Sequence, residues 1–129
     1  MKTITPASIR PPFARYAHAV EVPPGMRLLV LSGQLGIDPA DAIPQDAGDQ
    51  ADLCFANIDA ILADGGMDRG NIVRVNAYVT DRAHLPAYMA ARDRYLGQID
   101  PRASTLMIVS GFARPEFKVE IEVIAAASA

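Results

Sequence analysis

The sequence predicts an α+β sandwich in the order β-β-α-β-α-β-β, with two helices on one face of a mixed sheet. Three observations predict it. Two windows, about Asp49 to Ala63 and about Ala83 to Leu96, place apolar residues at helical spacing. Several flanking segments alternate with a period of two, the mark of strands. The 129 residues hold no internal repeat and no linker, so one domain spanning residues 1–129 is expected.

The elements follow in order. Residues 1 to 15 carry Pro6, Pro11 and Pro12 and read as an arm or short edge strand. Tyr16 to Val22 alternates loosely and stops at the turn Pro23-Pro24-Gly25. Leu28-Leu29-Val30-Leu31 is a continuous apolar run, the pattern of a strand buried on both faces. A loop rich in Pro and Asp runs from Gly36 to Gly48. The first helix then presents Cys54, Ile58, Ile61 and Leu62 as one stripe and ends at Gly65-Gly66. Ile72 to Thr80 puts Val73, Val75, Ala77 and Val79 on one side, with Arg74, Asn76 and Tyr78 on the other. The second helix carries Leu85, Tyr88, Met89 and Leu96 inward, with Arg92 on or beside that stripe. Ser104 to Val109 is a further strand.

The closing strand, Phe117 to Ile124, is the most regular. Phe117, Val119, Ile121 and Val123 share one parity, while Lys118, Glu120 and Glu122 share the other. With the helices on one face of the sheet, both carboxylates fall on the uncovered face, as does the Tyr16 and His18 parity. An uncovered face in a chain this hydrophobic implies association with further copies of itself.

Composition removes several function classes. No apolar run approaches the ~20 residues of a membrane span, and Met1 to Thr5 lacks the apolar core of a signal peptide, so a cytoplasmic location is the expectation. Twelve basic and 15 acidic residues are scattered along the chain for a net charge of -3. Without a basic cluster there is no footprint for double-stranded nucleic acid. His18 and His84 lie at no metal-ligand spacing. Gly33 and Gly36 are not followed directly by a helix and do not make a phosphate loop. Cys54, the only cysteine, sits on an apolar stripe and reads as core rather than nucleophile.

Four blocks then carry a resemblance. Tyr16-Ala17-His18-Ala19-Val20 resembles the Tyr-Ser-Gln-Ala-Val block that opens the Rid/YjgF reactive-intermediate deaminases, also called endoribonuclease L-PSP proteins. Leu31-Ser32-Gly33-Gln34 is similar to that family's Ser-Gly-Gln signature, and Gln50 to Leu62, with Asn57-Ile58, to its first helix. Val119-Glu120-Ile121-Glu122 with Ile124-Ala125 matches its closing strand. The resemblance implies a chorismate-mutase-like fold and a homotrimer whose clefts between subunits take small carboxylate ligands. It also implies hydrolysis of 2-imino or 2-enamino acids to keto acids and ammonia without metal or cofactor.

Carried over by position, the resemblance makes Glu120 the acid/base and gives Tyr16, Ser32 and Gly33 to the substrate cleft. The family's carboxylate-binding arginine has no direct counterpart. In Pro101-Arg102-Ala103-Ser104-Thr105 its place falls on Ala103 or Ser104, depending on which flank is aligned, and a family asparagine of the second helix is replaced by Met89. Arg102 is the nearest substitute and is the expected substrate-binding arginine, with Arg92 and Arg114 as other donors. If the strand already begins at Arg102, its side chain points to the opposite face. A trimeric binding protein without deaminase activity is the competing reading, and an endoribonuclease the weaker third.

Overall fold

A computed structural model describes residues 1–129. Its elements are β1 (Lys2–Ile4), β2 (Ala19–Glu21), β3 (Met26–Val30), β4 (Gln34–Leu35), α1 (Ala47–Asp64), β5 (Ile72–Val79), α2 (Leu85–Leu96), β6 (Ala103–Ile108) and β7 (Val119–Ser128). The main sheet has the order β3-β7-β5-β6, with β4 also pairing along β7. Only β5 and β6 run parallel, joined by α2 as the crossover; the other pairs are antiparallel. The predicted mixed sheet with two helices on one face is therefore the observed architecture.

Local chemistry sets the helix ends. Asp46 caps α1 by accepting from the Asp49 N–H at 3.0 Å. Gly65 closes it, its N–H donating to the Ile61 carbonyl, and Gly66 follows at φ +71°, a conformation that suits glycine. A 3-10 turn over Arg82–His84, capped by Asp81, leads into α2. Pro86 falls in the first turn of α2, where its missing N–H is harmless.

The core lies between this helical layer and the inward parity of the sheet. From α1, Ala51, Cys54, Phe55, Ile58 and Leu62 pack on Val75, Ala77 and Val79 of β5 and on Val119, Ile121 and Val123 of β7. Phe55 and Tyr95 stack between the helices with ring centroids 4.3 Å apart. Cys54 is fully buried as expected, and burial pushes its thiol up to about 12.

Three sequence expectations change. The run at Leu28 to Leu31 is not buried on both faces: Leu29 packs against the core and Leu31 is buried, but Leu28 and Val30 are 59% and 71% exposed. Nothing in the chain covers the second face of β3, so its apolar residues remain in the open. Tyr16 and His18 do not share the face of Glu120: Ala17 between them bridges to Ala103 at the β6 edge, which sends the Tyr16 ring toward α2. The inner stripe of α2 is rotated from the expected one. Its buried residues are Tyr88, Ala91, Arg92 and Tyr95, while Leu85 and Met89 are only partly buried.

Tyr88 carries a cost. Its ring is 1% exposed and its hydroxyl has no hydrogen-bond partner. A buried hydroxyl left unpaired loses its hydration without return. Tyr88→Phe should therefore stabilise the protein by about 1 kcal/mol, seen as a higher urea midpoint at unchanged slope. A lower midpoint would mean that the hydroxyl is satisfied in solution.

Candidate functional site

The open face of the main sheet carries a chain of polar side chains arranged by strand register. Tyr78 of β5 stands opposite Glu120 of β7, Asn76 opposite Glu122, and Thr105 of β6 opposite Asn76 on its other side. Glu122 Oε1 accepts from the Tyr78 hydroxyl at 2.7 Å and from Asn76 Nδ2 at 3.2 Å. The Arg74 guanidinium donates to Asn76 Oδ1 and to Thr105 Oγ1, both at 2.7 Å. Glu122 is thus held as an acceptor within a structural network, and its bond raises the Tyr78 pKa.

Glu120 stands apart from these bonds. Partial burial, and secondarily the charge of Glu122, raise its pKa above the usual carboxylate range. The backbone at Gly33 comes close against it: a Cβ placed there would sit 2.7 Å from Glu120 Oε1. Only glycine lets the main chain approach the carboxylate this closely. The Leu35–Glu120 pairing of β4 with β7 sets this approach, and α1 fastens β4 from behind. Cys54 Sγ donates to the Gln34 carbonyl at 3.1 Å and Asn57 Nδ2 to the Leu35 carbonyl at 3.4 Å. Ser32 precedes this contact, its carbonyl accepting from Gln34 Nε2.

A cavity of about 500 Å³ opens elsewhere, between the N-terminal arm, α2 and β6. Phe13, Ala14 and Tyr16 form one wall, Leu85, Met89 and Arg92 the second, and Ser104, Thr105 and Leu106 the third. The arm is pinned in place. The Ala17 N–H donates to the Arg102 carbonyl at 3.0 Å, and Arg15 donates to the carbonyls of Leu96, the last residue of α2, and of Ile99 just after it. The Tyr16 ring meets the His18 ring edge to face, and His18 Nε2 lies 2.9 Å from the Arg10 carbonyl oxygen.

The structure therefore groups the expected site residues into two sets. Glu120 and Gly33, with Ser32 adjoining, lie on the open face at β7; Tyr16 lies at the cavity against β6. In the sheet β5 separates the two strands, and the α2 side chains place the cavity toward the helical layer whereas Glu120 lies on the open face.

Arg102, the expected substrate-binding arginine, reaches neither. Its Nη2 donates to the Gly70 carbonyl at 3.0 Å. Because β5 and β6 are parallel, the turn before β5 and the loop before β6 meet at one end of the sheet, and there Arg102 is held by Nη2, with its Nε buried and unpaired. Arg114 instead lies over the Phe117 ring, 5.9 Å from its centroid. Arg92 is the arginine at the cavity, and its side chain is only 5% exposed. The sequence signal for it was its position seven residues after Leu85; the rotation of α2 that buries it was not readable. Gln50 and the Arg74–Asn76–Glu122 chain were also missed, since their roles depend on partners distant in sequence.

Comparison with known proteins bears on the family and the fold. A family model described as Endoribonuclease L-PSP matches residues 7–127. The chain is 32% identical over 123 residues to a goat (Capra hircus) 2-iminobutanoate/2-iminopropanoate deaminase, covering 93% of this chain and 82% of the relative. The crystal structure of YyfB, a Rid-family protein of unknown function from Yersinia pestis, superposes with a TM-score of 0.86 at 30% identity, covering 98% of each chain. Escherichia coli TdcF, solved with bound serine, superposes with a TM-score of 0.73 at 27% identity, covering 99% of this chain and all of TdcF.

Proposed function

The chain belongs to the endoribonuclease L-PSP family, the Rid/YjgF proteins, and from that premise we propose that it is a cytoplasmic homotrimer hydrolysing a small imine or enamine acid in clefts between its copies. The observation that carries this reading is Glu120. It is the open-face carboxylate free of the Glu122 network, it is raised in pKa, and it faces a backbone stripped of its side chain at Gly33. A carboxylate shifted toward neutrality can both take and return a proton. Support for a small acid as ligand comes from the serine bound in TdcF and from the named activity of the goat relative.

In the proposed reaction a water attacks the C=N carbon. Glu120 takes one proton from that water, and the nitrogen gains one, giving a carbinolamine. The C–N bond then breaks as the hydroxyl proton passes by way of Glu120 to the nitrogen, which leaves as ammonia, so imine plus water becomes keto acid plus ammonia. Ser32 and Gly33 shape the side of the cleft next to Glu120, and Tyr16 the opposite wall. The test is ammonia release from imino acids generated in situ by an amino-acid oxidase. Release faster than the uncatalysed hydrolysis supports the reading. Release at the uncatalysed rate would leave a binding protein without this activity.

The trimer is argued from two exposed apolar margins of the open face, Leu28 and Val30 on β3 and Met107 on β6. Such patches on a sheet with free edges call for a partner. Light scattering at micromolar concentration should give three times the 13.8 kDa chain mass. A monomer mass would sink the shared cleft.

A further inference from the structure

We propose that Arg92 is the carboxylate anchor of this chain, and that its ligand is a 2-imino or 2-oxo acid with a bulky apolar side chain; the imino half of this assignment rests on the hydrolase reading above. Arg92 lines the cavity, yet its side chain is 5% exposed. A cation so buried is costly unless an anion answers it. Its one hydrogen bond within the chain goes to Asp93 Oδ1 at 3.2 Å, and Asp93 is 58% exposed and adjacent in sequence, so most of its charge is already spent on water.

The guanidinium has five N–H donors and uses one. Phe13, Leu85, Met89 and Leu106 offer no acceptor. The Tyr16 and Thr105 hydroxyls already accept from the Phe13 N–H and from Arg74, and the remaining lining hydroxyl, Ser104, carries no charge to answer the cation. The planar fork suits a carboxylate held by two parallel bonds.

The walls define the remainder of the ligand. Six of the nine lining residues are hydrophobic, and Arg92 is the single charged one. A cavity of about 500 Å³ falls in the range of sites that enclose whole metabolites. Pyruvate would leave most of it to water, whereas a branched or aromatic side chain would meet Leu85, Met89 and Leu106. Met89, one helical turn before Arg92, makes the wall beside the anchor apolar. The cation is thus supplied by α2, while β6, with Ala103 and Ser104, contributes none.

The test is calorimetric titration of the intact protein with 4-methyl-2-oxopentanoate, its amide, pyruvate and inorganic phosphate. The wild type should bind the branched acid at least tenfold more tightly than pyruvate, the amide or phosphate. Arg92→Gln should weaken the acid about tenfold to a hundredfold and erase the preference for acid over amide, which a purely structural residue would not do. Arg92→Lys keeps the charge without the fork and should fall between. It also keeps the test valid if the glutamine variant does not fold. Arg114→Gln should bind as the wild type does.

Unchanged acid binding in Arg92→Lys and Arg92→Gln, or equal affinity for pyruvate and the branched acid, would overturn the proposal. Ammonia release on the same proteins separates it from the hydrolase reading. Acid binding that depends on Arg92 without imine hydrolysis keeps the anchor and rejects the hydrolase. Hydrolysis indifferent to Arg92 does the opposite.

Discussion

Glu120→Gln should abolish imine hydrolysis, by a factor of at least 10², while leaving the assembly mass unchanged. The amide preserves the shape against Gly33 and removes the group that moves the proton. Its effect on stability separates this role from a structural one. Glu120 has a raised pKa in the folded chain, so its protonated form is the one that folding favours. The stabilisation from Glu120 is fully present below the unfolded carboxylate pKa and is lost as pH rises through the raised folded value. Glu120→Gln lacks that loss. The variant should therefore match the wild type in acid and equal or exceed it at neutral pH, measured as urea midpoints across the range. A Glu120 that held copies together would give the reverse: lower mass, lower neutral stability and no simple kinetic defect. Full activity in Glu120→Gln would remove the open face of β7 from the mechanism.

Gln50→Leu should be the most damaging single change to folding, at about 3–5 kcal/mol and a fall in Tm of more than about 10 °C. Gln50 is fully buried on α1 and is satisfied at every turn. Its Nε2 donates to the Pro44 carbonyl at 2.7 Å and to the Glu116 carbonyl at 2.9 Å, and its Oε1 accepts from the Lys118 N–H at 2.9 Å. The amide thus ties the loop before α1 to the loop before β7. Leucine fills the same space but leaves three backbone groups unpaired. The site is coupled to this bond, because Lys118 lies two residues before Glu120. Gly36 abuts the same side chain: a Cβ there would come within 2.5 Å of the Gln50 Cβ. Chemical denaturation monitored by circular dichroism gives the value, and a loss under about 1 kcal/mol would mean that water takes the place of the amide.

Periodicity made the two helices and the strands β5 and β7 legible, because each has one face in a core and the other not. Glu120 was legible for the same reason: its parity in Phe117 to Ile124 opposes that of Val119 and Ile121. The two-residue strand β4 was not, since Gln34-Leu35 is too short to show a period and exists through its pairing with β7. Arg102 looked suitable by proximity in sequence, but the parallel pairing of β5 and β6 carries it to Gly70. Arg92 needed knowledge of how far α2 turns on the sheet, a packing outcome that local pattern does not encode. Gln50 reads from the sequence as one more polar residue at the start of a helix. Only its three backbone partners, two of them 66 and 68 residues away, give it weight.

The separation of the cavity at β6 from Glu120 on β7, by strand and by face, has a consequence for how such a protein can change. On the reading proposed above, selection of a substrate and transformation of it are written on different stretches of chain. The arm and α2 can be rewritten, with other walls and another anchor, while the closing strand and the glycine beside it stay as they are. A scaffold divided in this way can trade one metabolite for another without reinventing its chemistry.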